Sequence, residues 1–139
     1  MEKRELYREF QLAGRKWRVG KWDARTGSYW AHKFMTETPP QSIRKGLANV
    51  GVFGSQAMNK ADFFDLENDC LALVDEHLDA GWTPILNADG NFAVVGLEKE
   101  GGLVLLFVIQ AMDFNLRSFF PEGGLASLAS PLDTSQPVP

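Results

Sequence analysis

Gly101 to Phe120, GGLVLLFVIQAMDFNLRSFF, is the densest apolar stretch of the chain, and whatever folds here must arrange the remaining sequence as its cover. Leu103 to Ile109 is seven consecutive apolar residues, far short of the roughly 20 that a bilayer-spanning helix needs. A buried helix fits better. Glu98 and Glu100 precede it and Arg117 lies near its end, an order that suits the helix dipole, while Pro121 stops it. At about 3.6 residues per turn, Leu103, Leu106, Phe107, Gln110 and Phe114 share one face, and Val104, Val108, Ala111 and Asn115 share a neighbouring one. A helix that is apolar on both faces needs cover on two sides. The first two turns are expected at the centre of the fold. The later turns, with Gln110, Asp113, Asn115 and Arg117, are expected to approach the surface before Phe119 and Phe120 close the helix.

The cover is readable from the start of the chain. Leu6 to Leu12 alternates in polarity, Lys16 to Trp22 alternates again, and Ala13-Gly14 between them is a tight-turn signal, so a β-hairpin is expected. Trp17 and Val19 then lie on the side of Phe10 and Leu12, with Arg15, Lys16, Arg18 and Lys21 outside, and Gly20 marks a bulge that turns Trp22 inward. Asp23 is a good N-cap for a helix whose Gly27, Trp30, Ala31, Phe34 and Met35 recur at helical spacing, and Pro39-Pro40 follows its end. A short helix is expected over Ser42 to Val50, then a loop from Gly51 to Gln56. Asn59 or Asp62 caps a further helix running to about Ala80, with Gly81 just beyond it. Its apolar face is Phe63, Leu66, Cys70, Leu73, Val74 and His77, with Phe64, Leu71 and Leu78 as a flank and Asp65, Asp69, Asp75, Glu76 and Asp79 opposite. Thr83 to Leu86 and Asn91 to Val95, joined by Asn87-Ala88-Asp89-Gly90, read as a second small hairpin. The expected class is α+β: a predominantly helical single domain over residues 1–127, with an N-terminal β-hairpin and a second short hairpin before a long apolar C-terminal helix. Residues 128–139, rich in Ser and Pro, read as a flexible tail.

A chain of 139 residues, 45% hydrophobic, is large enough for one domain with a core of its own. Its formal charge of −4 and pI of about 5.1 argue against a strongly electrostatic nucleic-acid binder. A single cysteine fits a reducing compartment, and the charged start MEKRELYREF is unlike a secretory leader. The charge is uneven, with most Lys and Arg before residue 46 and over half of the acids between residues 62 and 100. That asymmetry suits head-to-tail self-association, a partner with a mixed surface, or a plain solvated surface with no role.

No motif for catalysis emerges. Cys70 and His77 are two helical turns apart, about 10 Å at 1.5 Å per residue, too far to share a metal ion. The remaining nucleophile pair, His32 with Cys70, requires the fold to bring them together. Asn87 to Asn91 has the opening cadence of a calcium loop, and Glu98 falls at its twelfth position, but FAVVG between them is strand-like, so a hairpin turn is preferred. Gly46, Gly51 and Gly54 lack the Lys-Ser/Thr of a phosphate loop. The segment RKWRVGKW could serve single-stranded nucleic acid by stacking and charge, but a hairpin with Trp inside and Arg/Lys outside accounts for it better. Trp17, Trp22, Trp30 and Trp82, with Phe119 and Phe120, include candidates for a partner surface.

Taken in order, the features resemble one family. The hairpin FQLAGRKWRVGKW leads to a helix starting DARTGSYWAHKF, an amphipathic helix with a CLALV centre precedes GWTPILNADGNF, and a long apolar helix closes DFNLRSFF. From Phe10 to Phe120 this is similar to the tail assembly chaperones of long-tailed bacteriophages and prophages. The resemblance implies a non-enzymatic protein without cofactor or metal, working in the cytoplasm of the bacterial host. It implies a partner, the tape measure protein, which such chaperones bind and keep soluble while helping to recruit major tail tube subunits, and it implies self-association. Nucleic acid and membrane are not among the implied partners. The alternative is a structural tail or head-tail joining protein retained in the virion. The family supplies no catalytic residues, and surface-aromatic reasoning names Trp30, Phe34, Phe119 and Phe120 as partner anchors.

Overall fold

The computed structural model describes residues 6–47, 53–94 and 96–117. The expected hairpin forms from β1 (Tyr7–Leu12) and β2 (Arg15–Gly20), in antiparallel register with Phe10 opposite Trp17 and Arg8 opposite Val19. Its two turn residues, Ala13 at φ 56° and Gly14 at φ 70°, are both left-handed. That conformation matches the right-handed twist of the flanking strands.

Helix α1 (Ala24–Lys33) follows its N-cap Asp23. After it come β3 (Glu37–Thr38), α2 (Gln41–Gly46), β4 (Gln56–Ala57) and α3 (Lys60–Leu71), the last capped by the Asn59 side chain, which accepts from the Asp62 N–H at 2.8 Å. The helix expected over Ser42 to Val50 is thus shorter, and its last residues lie outside the described ones. The parallel pair β3–β4 draws Gly54 onto the chain at Thr36 and Glu37, where its N–H donates to the Phe34 carbonyl at 2.8 Å. A Cβ at Gly54 would sit 2.1 Å from the Thr36 carbonyl carbon and 2.5 Å from the Glu37 nitrogen. Backbone cannot yield as a side-chain tip can. Gly54→Ala is therefore expected to cost about 2 kcal/mol or more, within the range of overpacked sites, read as a lowered urea midpoint.

The third helix corrects the sequence reading. It ends at Leu71, and Val74–Leu78 forms β5, paired antiparallel with β2 on one side and with β6 (Gly81–Pro84) on the other. VDEHL satisfies both periods: Val74 and His77 fit a helical stripe, but Val74 and Glu76 alternate with Asp75 and His77 as a strand requires. Pairing with β2, a contact distant in sequence, decides between them. The second hairpin is accordingly β5–β6 rather than Thr83 to Val95. Of the expected one there remain the turn at Asn87 to Gly90 and a single bridge, Leu86 with Phe92. The result is a four-stranded antiparallel sheet in the order β1-β2-β5-β6 within an α+β fold.

A short 3-10 turn (Leu97–Lys99) leads to α4 (Gly101–Leu116), whose one face packs on the sheet while α1, α2 and α3 pack around the rest of it. Phe107 meets Trp17 with ring centroids 4.6 Å apart and Phe10 at 6.1 Å. Val104, Phe107, Val108, Ala111, Met112, Phe114 and Leu116 are all buried, so the two-sided cover demanded by the sequence is present. The later turns do approach the surface at Arg117, which is exposed, and Gln110 and Asp113 are partly buried, but Asn115 does not follow them. Asn115 is 5% exposed. Its side-chain oxygen accepts from the Trp22 N–H (2.8 Å), and its amide donates to the Gly20 and Ala111 carbonyls (3.1 and 2.9 Å). Asp113 takes Arg8 at 2.8 Å and also Arg117. The polar end of α4 is thus the fastener that holds the end of β2 and both flanks of the hairpin to the helix.

Candidate partner interface

Two of the expected partner anchors belong to the core instead. Trp30 is 1% and Phe34 0% exposed, because the stripe of α1 that carries them faces α4 and α3 rather than solvent. The Trp30 indole N–H donates to the Asp69 carboxylate at 2.8 Å, and the Trp22 indole N–H donates to the Asp69 carbonyl at 2.9 Å. One residue of α3 thus fixes two tryptophans. Phe34 packs in turn on Trp30 and, edge-on, on Phe53. The other two expected anchors, Phe119 and Phe120, lie outside the described residues.

The large apolar groups that do face solvent on the helical side are Tyr29, Met35 and Phe64, each about half exposed. Tyr29 and Phe64 stand one residue away from core positions on their helices, beside Trp30 and Phe63. Helical phase was the signal that could have separated them: a step of about 100° turns the neighbour of a core residue onto the flank. Between these helices Lys33 bridges Glu37 at 2.7 Å and Asp62 at 3.3 Å, which ties the end of α1 to the start of α3 and raises the lysine pKa.

The outer face of the sheet is built differently. The Arg18 guanidinium lies 3.9 Å from the centroid of the Tyr7 ring and 4.7 Å from that of Trp82, and donates to Asp75 at 2.8 Å. His77 meets the edge of Trp82, and Lys16 pairs with Glu9 at 3.1 Å. Cation and ring partners from all four strands are therefore engaged with one another. On this face one cation of the first hairpin, Arg18, pairs with an acid of β5, Asp75. Within RKWRVGKW, Trp17 is fully buried, while Lys16 pairs with Glu9 and Arg18 with Asp75.

Arg15 also departs from expectation. It shares the inner face with Trp17, stacks on that indole at 4.8 Å, and donates through Nε and an Nη to the two oxygens of Glu76 at 2.6 and 2.7 Å. The Glu76 side chain is only 5% exposed, whereas that of Arg15 is 41% exposed. Hydrogen bonding to Glu76 raises the guanidinium pKa further. Arg15→Met should leave a buried carboxylate unpaired at a cost of about 2 kcal/mol, less than for a fully enclosed pair because water reaches this end. Adding Glu76→Leu should recover most of the loss, as thermal denaturation of the two variants would show.

For nucleophilic or metal chemistry the geometry offers little. Cys70 is completely buried, and burial, with Asp69 and Glu67 nearby, pushes its thiol well above the ordinary range, opposite to what an activated nucleophile needs. His32 and His77 are exposed. The Asn87 side-chain oxygen accepts from the N–H groups of Asp89 (2.9 Å) and Asn91 (3.1 Å), so the calcium-like cadence is a self-closing turn. Among the described residues no group of three or more His, Cys, Asp or Glu is placed to hold a metal ion, and no helix is long and apolar enough to cross a membrane. A shallow depression of about 310 Å³ lies between the start of β1 and the turn before β5, lined by Leu6, Tyr7, Gly20, Lys21, Ala72, Leu73 and Asp75. Comparison of the chain with protein-family models, with curated proteins and with solved structures gives no match.

Proposed function

We propose that this chain is a phage tail assembly chaperone, a non-catalytic protein of the bacterial host cytoplasm that binds the tape measure protein and helps tail tube subunits assemble around it. The observation that carries the reading is the order of sequence features from Phe10 to Phe120 described above. Supporting it, half-exposed Tyr29, Met35 and Phe64 are apolar side chains of the kind on which the apolar face of an amphipathic helix packs. These three residues replace Trp30 and Phe34 as the contacts on the described surface. The test is co-expression with the product of the neighbouring tape measure gene, followed by affinity capture. A complex should be recovered. Tyr29→Ser combined with Phe64→Ser should reduce capture at least about tenfold, as truncation of central apolar contacts does, with an unchanged melting temperature. Failure of the wild-type chain to capture the tape measure protein contradicts the proposal. Recovery of the chain from purified virions by mass spectrometry would favour the structural joining role instead.

A further inference from the structure

We propose that the chain forms a two-fold dimer by antiparallel pairing of β1 with β1 of a second copy, making one eight-stranded sheet. The inference rests on the geometry of the sheet edge; it assigns a surface and a register to the self-association that the chaperone reading implies, and its test on the chain alone is separate from capture of the tape measure protein.

β1 is an edge strand, and the direction of its backbone groups can be derived. The Gly20 N–H donates to the Leu73 carbonyl at 2.9 Å, toward β5 and away from β1. In an antiparallel ladder backbone groups alternate in direction, so Tyr7, opposite Gly20, turns its N–H and C=O outward, and Glu9 and Gln11 do the same. Those six groups have no backbone partner among the described residues. Such an edge is a template for another strand.

Beneath the edge lies an apolar shelf. On α4, Gln110 and Asp113 reach Arg8 and Phe107 reaches Phe10, so the helix runs antiparallel to β1 and turns its 103, 106 and 110 positions toward the edge. Leu106 there is 43% exposed, and Leu103, Phe10 and Leu12 are only partly buried. A second copy covers this shelf at the same time as it extends the sheet.

Charge selects the register, and with it the occupant. Centring the two-fold on Glu9 sets carboxylate against carboxylate, and centring it on Arg8 sets guanidinium against guanidinium; both are disfavoured. Centring it on Gln11 would pair Glu9 with Ala13, which the turn holds at φ 56° rather than extended. Centring it on Phe10 places ring against ring in a close, non-hydrogen-bonded pair. Each Glu9 then stands opposite Gln11 of the other copy, and their outward N–H and C=O groups bond to one another. This register sets no like charges opposite each other, and it brings Leu106 toward its symmetry mate. The strand is thus complementary to itself, the requirement for a two-fold interface.

Sedimentation equilibrium of the full chain tests the proposal. The wild type should be dimeric. Gln11→Glu, which sets Glu9 against a second carboxylate, should raise the dissociation constant about tenfold or more, and adding Glu9→Gln, which exchanges the pair, should restore it. Gln11→Pro removes an outward N–H without touching the β1–β2 ladder and should give a folded monomer by circular dichroism. A wild type that stays monomeric up to the highest soluble concentration overturns the proposal. So does a dimer insensitive to Gln11→Glu.

Discussion

Asn115→Leu is expected to lower the stability of the protein by about 3 kcal/mol, although Leu is close to Asn in size and more apolar. The loss follows from what Asn115 joins. With the amide gone, the Gly20 carbonyl loses a donor and the Trp22 N–H its acceptor, and each buried backbone group left without a partner costs about 1–3 kcal/mol. Trp22 is only half-buried and water can reach it, which keeps the total in the lower half of that sum. The Ala111 carbonyl lies within the helix ladder and loses less. Urea unfolding reads the difference directly. Asn115→Asp separates hydrogen bonding from size. A carboxylate still accepts from the Trp22 N–H but points its other oxygen at two carbonyls, so the variant should be destabilised near neutral pH. The fold then favours the protonated acid, which can donate to one carbonyl, and its folded pKa is raised above the unfolded value. The deficit is therefore present above the folded pKa and shrinks as pH falls through it.

Phe107→Ala should cost about 3–5 kcal/mol, the usual result of removing a fully enclosed aromatic ring. Phe107 is fully buried, and its ring stands against Trp17 and Phe10, so it is the main bond between α4 and the first hairpin. Truncation leaves a cavity between sheet and helix that neither can close without abandoning contacts on its other side. Its neighbour Leu106, 43% exposed, provides the contrast: Leu106→Ala, measured at dilution, should change stability by under about 1 kcal/mol. Intrinsic tryptophan fluorescence, to which Trp17 contributes with Trp22, Trp30 and Trp82, should shift for the first variant and stay put for the second.

These two residues also show what the sequence could and could not convey. The hairpin was legible because alternation in Leu6–Leu12 and the Ala13-Gly14 turn are local signals, and α1 and α4 were legible because a cap or a dense apolar run marks them. Val74–Leu78 was not. Its residues fit a helical stripe as well as a strand, and only the ladders to β2 and β6 choose. Asn115 was misjudged for a related reason: a polar residue on a core helix looks surface-bound until the carbonyl and N–H that it satisfies, on residues nearly a hundred positions earlier, are brought beside it. Trp30 and Phe34 carried the opposite ambiguity. Aromatic residues at helical spacing suit a core and an interface equally, and the approach of α3, with Asp69 reaching the Trp30 indole, makes them core. The exposed Tyr29 and Phe64 lie one residue out of phase with the inward-facing Trp30 and Phe63.

The edge of β1 and the helical side with Tyr29, Met35 and Phe64 are separate surfaces. A chain that pairs through the first retains the second, displayed twice. Two linked sites on one long apolar partner would raise its apparent affinity by avidity without any new contact.

The most direct test of the chaperone reading is the soluble fraction of the tape measure protein when the two genes are expressed together, compared with its expression alone. Co-expression should move the tape measure protein from the pellet to the supernatant, bound to this chain. A tape measure protein that stays in the pellet, with this chain folded and free in the supernatant, would contradict it.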